Sequence, residues 1–489
     1  MFQSLARHPW RSTLWLIAGL ALLHLLVIGR VELTGDEAHY ALYGYYPDWS
    51  YFDHPPLVGW LNALVLPFSS SEFALRLWPI LLGALTAILL FGLTRELFPE
   101  APAHTGLLAV AIYQSGILFQ LLNMAMLPDT PLLPIALGAT WLLYRALHTG
   151  SVRAWLGVGL LFGLAGLAKY TAVTLVLTAL IALFWLGRAR MLRTPGPWLA
   201  MPVALLVITP ILYWNAEHDW LSFAYQLGHG APDRAWSSKR FLTAQAGQLI
   251  VYGPLIYGFG LAALVSALRR RHDGERMLLA LALPVLLLFA WNGGYETTLP
   301  HWPALGWLAL SPLIARWLLA HWPARGVRIG VWSSAAYSVA LVAVIHLLIL
   351  LPFNPFPPGR HPLGDLHGWR ASTERAMAMR EAMAATPGPA PRLYVGNWSI
   401  FSHVAWYGRP TPVQVTDSRF DQSDLWYGSP EPGDRGIVVV PEYYWDRPET
   451  AGFGKFNRCA EPVQVEAMLG GVPASRYRLY ACEDYRGSR

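Results

Sequence analysis

Long apolar segments recur along the first 351 residues, at 12–30, 73–94, 104–123, 128–147, 154–168, 171–187, 198–214, 241–265, 277–291, 302–318 and 329–351. A helix needs roughly 20 apolar residues to cross a bilayer, and fewer where it is broken inside a bundle. The chain has 489 residues, of which 54% are hydrophobic and only 13% charged, and a soluble core could not hide that much apolar surface. The pattern predicts a mainly α, polytopic membrane protein with about eleven transmembrane helices. The segments 154–168 and 171–187 share a hinge at Lys169-Tyr170, so one bent span is the alternative there. Arg7 and Arg11 precede the first run and no small-residue cleavage site follows it, which reads as a retained span rather than a signal peptide.

Orientation follows from the basic residues, which gather on the cytoplasmic ends of spans. Arg7, Arg11, Arg95, Arg145, Arg153, Arg188, Arg190, Arg193, Arg269, Arg270, Arg271, Arg276, Arg325 and Arg328 all fall on one side if the N-terminus is cytoplasmic. The opposite side then receives 31–72, the turn at Pro128, Lys169, 215–240, 292–301 and everything after Pro352. A proline-rich linker, Leu351-Pro-Phe-Asn-Pro-Phe-Pro-Pro358, separates two domains on this reading: a transmembrane domain, 1–351, with its first extracytoplasmic loop at 31–72, and a small extracytoplasmic α/β domain, 352–489. Thr373 to Ala385 reads as a helix, and Arg392–Val395, Gly436–Val440 and Arg476–Cys482 read as strands. Cys459 and Cys482 lie in this segment, either as one disulfide on an oxidising side or as two buried thiols. A net charge of +6, without a basic stripe among exposed aromatics, gives no sign of nucleic-acid binding. No internal repeat or Gly-rich phosphate loop is present.

In so apolar a chain, ionisable groups gathered near lipid are costly and point to function. Asp36, Glu37, Asp48, Asp53, His39 and His54 crowd the stretch after the first span, in Thr34-Gly-Asp-Glu-Ala-His-Tyr40 and Tyr51-Phe-Asp-His-Pro-Pro-Leu57. Asp129, Lys169, His229, Tyr295 and His301 follow at other span ends assigned to the same side. A carboxylate such as Asp36, Glu37 or Asp129 can take a proton from an attacking hydroxyl. His54, Lys169, Tyr295 and His301 can bind a phosphate, and Asp53 with His229 can hold a divalent cation. Each has a plainer reading. Asp36 and Glu37 suit the first turn of a helix capped by Thr34, and Asp129 suits an N-cap. Lys169 can snorkel, His229 can be a surface residue in a Gly-flanked loop, and Tyr295 and His301 can belong to an interfacial belt.

The order Asp36-Glu37, Phe52-Asp-His-Pro-Pro-Leu57, Leu127-Pro-Asp-Thr-Pro-Leu132, Gly166-Leu-Ala-Lys169 and a loop histidine resembles the GT-C glycosyltransferases. Within them it resembles the protein mannosyltransferase-like group that includes the bacterial aminoarabinose transferase of lipid A. The resemblance covers about residues 10–320 and implies a polyprenyl-phosphate-linked sugar donor, an extracytoplasmic lipid, glycan or protein acceptor, and no nucleotide cofactor. It implies that Asp36 and Asp129 are the two essential acids and that Asp53 and His229 form a metal-binding pair. His54 stands where the relative has a phosphate-binding lysine. The reaction it implies is a single-displacement, inverting transfer with Asp36 as general base, at a plasma (inner) membrane. The competing readings are a transporter or flippase of a lipid-linked or anionic solute, which would carry its charges at mid-membrane on broken helices, and an oligosaccharide ligase.

Overall fold

The computed structural model describes residues 8–230, 235–296 and 298–487, with the side chains of 229 and 230 outside the description. The chain divides into two compact units. The first comprises residues through Leu26, Asp48–Val58 and Arg76–Ile345; the second comprises Val27–Pro47, Gly59–Leu75 and His346–Arg489.

Each of the eleven apolar segments is mostly helical. By length and composition five described helices can cross a membrane: Glu72–Leu97, Ser238–Leu268, Asp273–Asn292, Ala304–His321 and Arg325–Leu350. A sixth is added if Pro195–Val207 and Thr209–Glu217, bent by 49°, are one broken span. The remaining apolar helices are shorter or less apolar. The hinge expected at Lys169 is real. Val152–Ala168 ends at Lys169, whose backbone is extended (φ −159°, ψ 140°), and a 3-10 turn, Tyr170–Val173, leads into Thr174–Trp185.

In lipid, helices associate through close packing rather than hydrophobic exclusion, so small residues mark their seams. Val152–Ala168 packs on Pro195–Val207 through Gly159 and Gly163, one turn apart. A β-carbon on Gly159 would lie 2.3 Å from the carbonyl oxygen of Ala200, and one on Gly163 would lie 2.5 Å from Cβ of Val207. Pro254 removes an N–H from the Ser238–Leu268 helix, and the Tyr337 hydroxyl donates instead to the freed carbonyl of Ile250 at 2.8 Å.

One end of this bundle is laced by ion pairs. Glu96 accepts from Arg145 and from the Trp141 indole at 2.6 Å each, while Arg316 bridges Glu100 (3.1 Å) and the buried Glu275 (3.2 Å). These groups come from the ends of Leu77–Leu97, Asp129–Thr149, Asp273–Asn292 and Ala304–His321. The other end of Asp129–Thr149 is Asp129 itself. At 1.5 Å per residue it lies about 24 Å from Arg145 along the helix axis.

The second unit holds a six-stranded sheet of β1 (Arg392–Val395), β2 (Val413–Val415), β3 (Gly436–Pro441), β4 (Phe456–Cys459), β5 (Val463–Leu469) and β6 (Val472–Tyr485). The order is β2-β1-β3-β6-β4, with β5 also paired to β6. β1 runs parallel to β2 and β3, whereas β6 is antiparallel to β3, β4 and β5. Every residue of β3 is buried, as expected of a strand covered on both faces. Ile437 and Val439 face a core shared with the helices Trp369–Ala384 and Trp398–Gly408, while Val438 and Val440 face a second core with Tyr394, Phe456 and Tyr485. Cys459 and Cys482 are direct cross-strand neighbours and form a disulfide, which decides between the two alternatives left open by the sequence.

The helix Gly35–Tyr45 joins the first of these cores through Ala38, Ala41 and Leu42, against Ile400, Phe401 and Val404 of Trp398–Gly408. The stretch carrying Asp36 therefore folds as part of the C-terminal unit. Nothing in the local sequence announces it.

Candidate active site

In the first unit, Asp129 opens its helix but does not cap it. Pro128 occupies the cap position and Asp129 is 2% exposed. The hinge after Ala168 turns Lys169 inward, where it too is buried. Its ammonium donates to Oδ1 and Oδ2 of Asp129 at 2.8 and 2.7 Å. Snorkelling does not describe a lysine only 6% exposed. Taking both charges from water costs several kcal/mol each, recovered only in good geometry. His301 completes the group, with Nε2 3.8 Å from Oδ2 of Asp129. An ammonium has three hydrogens, and two point at Asp129. Three residues from three separate segments thus make one compact polar cluster. Tyr295 stands apart from that geometry, edge-on to Trp291 at 5.6 Å.

Segment 48–58 is stapled to the helices Thr209–Glu217 and Leu221–Gly230. The Trp214 indole donates to Oδ2 of Asp48 (2.9 Å), Ser222 Oγ to the Tyr51 carbonyl (2.7 Å), and Gln226 Nε2 to the Asp53 carbonyl (2.7 Å). These bonds fix the turn that presents Asp53 and His54, both partly buried, with Nδ1 of His54 3.9 Å from the Asp53 carboxylate. Asp48 is occupied as a structural acceptor. The His229 side chain lies outside the described residues. Among those that are described, no group of three or more His, Cys, Asp or Glu side chains is placed to hold a metal ion. Asp53 and His54 by themselves offer too few ligands for one.

In the second unit the acidic first turn is as the residue types imply, and it separates Asp36 from Glu37. Thr34 caps the helix, accepting from the Glu37 N–H (3.2 Å), and the Glu37 carboxylate accepts from the Thr34 N–H (3.0 Å). Together they make a capping box. Glu37 is buried in that role. Asp36, partly exposed beside it, has no hydrogen-bond or ion-pair partner among the described residues. The residues before Asp36 are anchored as well. The Glu32 carboxylate accepts from the Trp369 and Arg370 N–H groups (2.7 and 3.2 Å), and the Leu33 N–H donates to the Tyr407 hydroxyl (2.9 Å). Burial pushes the Glu32 carboxyl above its usual range. Sequence reasoning missed Glu32 and Tyr407, since their partners lie more than 330 positions away.

Comparison with known proteins bears on what such a scaffold does. A family model described as dolichyl-phosphate-mannose-protein mannosyltransferase matches residues 53–214. The lipid A galacturonosyltransferase RgtD of Rhizobium johnstonii is 27% identical over 453 residues, covering 89% of this chain and 87% of that protein. The crystal structure of ArnT from Cupriavidus metallidurans bound to undecaprenyl phosphate superposes with a TM-score of 0.64 at 17% identity, over 97% of this chain and 98% of that one. Its apo form gives 0.64 at 16% identity. The chain is a glycosyltransferase with the GT-C fold. A GT-C glycosyltransferase is a multi-pass membrane enzyme, in keeping with the apolar helices of the first unit.

Proposed function

We propose that this enzyme moves a sugar from a polyprenyl-phosphate donor to an extracytoplasmic acceptor, with Asp36 as general base. The observation that carries this reading is the contrast between the two neighbouring acids. Glu37 is consumed by its capping box, while Asp36 sits partly exposed and unpartnered beside it. Breaking the anomeric C–O bond passes through a transition state of oxocarbenium character and sends negative charge to the departing phosphate. The acceptor hydroxyl attacks the anomeric carbon, its proton passes to Asp36, and the phosphate leaves with the bonding electrons. On this reading the third hydrogen of the Lys169 ammonium, held by Asp129, donates to that phosphate, assisted by His301 and His54. A divalent cation at Asp53 and His229 would add positive charge there, and the chain's own donors are enough to state the mechanism without it. The direct displacement inverts the anomeric centre. The domain boundary near residue 351 and an extracytoplasmic C-terminal domain belong to the same proposal.

The test is turnover of a polyprenyl-phosphate sugar in vesicles containing acceptor membranes, read by mass spectrometry of the product. Asp36→Asn is expected to lower turnover by roughly 100-fold or more, the scale of a lost general base, with thermal stability unchanged. Glu37→Gln should instead lower stability by about 1 kcal/mol and keep most of its activity. Wild-type turnover in Asp36→Asn would remove Asp36 from the mechanism.

A further inference from the structure

A cavity of about 610 Å³ opens in the C-terminal unit, within the range of small-molecule sites. It is preformed. Its wall at Gly359 (φ +70°) lies so close to Glu442 that a β-carbon there would be 2.1 Å from Oε2. From that position Glu442 holds Arg476, whose Nε donates to Oε2 at 2.9 Å. Arg478, two residues along β6 and therefore on the same face, lays its guanidinium 3.9 Å over the ring of Trp445. A stacked guanidinium keeps its in-plane N–H edge for a bidentate acceptor. Among the described residues neither Arg478 nor the exposed Arg360 on the same wall has a carboxylate partner.

The remaining lining groups suit a polyol. Asp446, likewise without a described partner, can accept from hydroxyls, and Tyr443 offers a ring that is 57% exposed. His361 supplies a directed donor. Its Nδ1 accepts from the Leu363 N–H at 3.1 Å, which leaves the proton on Nε2, and that buried N–H has no partner among the described residues. An orphan buried donor is rare and calls for a ligand or water.

The cavity also adjoins the helix that carries Asp36. Asp365 lines it, and its carboxylate lies 3.7 Å from Nε2 of His403. A β-carbon on Gly35, the residue before Asp36, would lie 3.5 Å from the same nitrogen. We propose that this cavity is a subsite for an anionic saccharide, a sugar bearing a phosphate or a carboxylate, belonging to the acceptor. Only its assignment to the acceptor rests on the reading of Asp36 as base; the binding does not.

The test uses the full-length protein in nanodiscs and saturation-transfer NMR with glucose 1-phosphate, glucuronate and glucose, with inorganic phosphate, which has no carbon-bound hydrogen, read by its competition against glucose 1-phosphate. Both anionic sugars should bind at least tenfold tighter than glucose and than inorganic phosphate, and their ranking separates phosphate from carboxylate. Arg478→Gln should weaken both at least tenfold. Arg458→Gln, the same charge change on the exposed outer strand β4, should leave them unaltered. Arg360→Gln provides the same readout if Arg478→Gln fails to fold. Equal binding of glucose and glucuronate, inorganic phosphate binding as tightly as the sugar phosphate, or full affinity in the folded arginine variants would each overturn the proposal. Asp36→Asn should bind these probes normally, so a failure of the base assignment and a failure of the subsite give different results.

Discussion

The pairing of Lys169 with Asp129 sets the strongest expectation at the level of single residues. Both are buried, and each is the other's main compensation. Lys169→Met strands an anion in an apolar setting and is expected to cost about 3–5 kcal/mol. Combining it with Asp129→Asn removes both charges and should recover most of that stability, while turnover stays lost in both variants. Thermal unfolding in detergent beside the turnover assay checks this. A double variant with normal turnover would reduce the pair to scaffolding. Each charge was legible in the sequence as an ion interrupting apolar surroundings. Their partnership was not, because forty residues of helix and turn separate them and the pattern of one helix is silent about the next. The capping box was the reverse case: Thr34-Gly-Asp-Glu37 carries its own motif, and local chemistry alone assigns Glu37.

Secondary elements were the most readable layer, since their signals are periodic and local. The strand Arg392–Val395 was expected with the same ends it shows, and the break at Lys169 followed from a charged residue between two short apolar runs. The seam between helices was overlooked, although Gly159-Leu-Leu-Phe-Gly163 spells it. Gly159→Val would force the two backbones apart and is expected to cost about 1–3 kcal/mol in thermal stability. Gly258→Ala, where a β-carbon meets nothing within 4 Å, should be close to neutral. Turns of the C-terminal unit allow a pH test. Burial, helped by neighbouring His361, pushes the His367 imidazole down from 6.5 to about 4. Between those values the unfolded chain binds the extra proton, so the contribution of His367 to stability is intact above pH 6.5 and is lost as the pH falls toward 4. Glu32, Asp417 and Asp421, raised by burial, pull the other way. The quantity to measure is therefore the difference in Tm between wild type and His367→Gln, which should be constant above pH 7 and shift in favour of the variant on acidification to pH 4.5. A difference independent of pH would mean that the ring does not titrate as its burial implies.

At the level of the whole molecule, composition alone identified a membrane protein, because twenty-residue apolar runs leave few alternatives. It could not foresee that Gly35–Tyr45 folds against the helix Trp398–Gly408, more than 350 positions later, since that association rests on shape at Ala38, Ala41 and Leu42 rather than on any periodicity. The disulfide offers a direct test of the proposed orientation. Disulfides persist on the oxidising side of a membrane, and closing a 23-residue separation is worth about 3 kcal/mol on the chain-entropy account. If the C-terminal unit is extracytoplasmic, protein from unreduced cells should show no maleimide-reactive thiol, since Cys459 and Cys482 are the chain's two cysteines. A membrane-impermeant phosphine applied to intact spheroplasts should then expose both thiols to an impermeant PEG-maleimide, doubling the gel shift of a single addition. Cys459→Ser with Cys482→Ser should abolish labelling and lower the melting temperature of the unit. Labelling that needs permeabilised cells, or thiols already reactive before reduction, would put this unit in the cytoplasm.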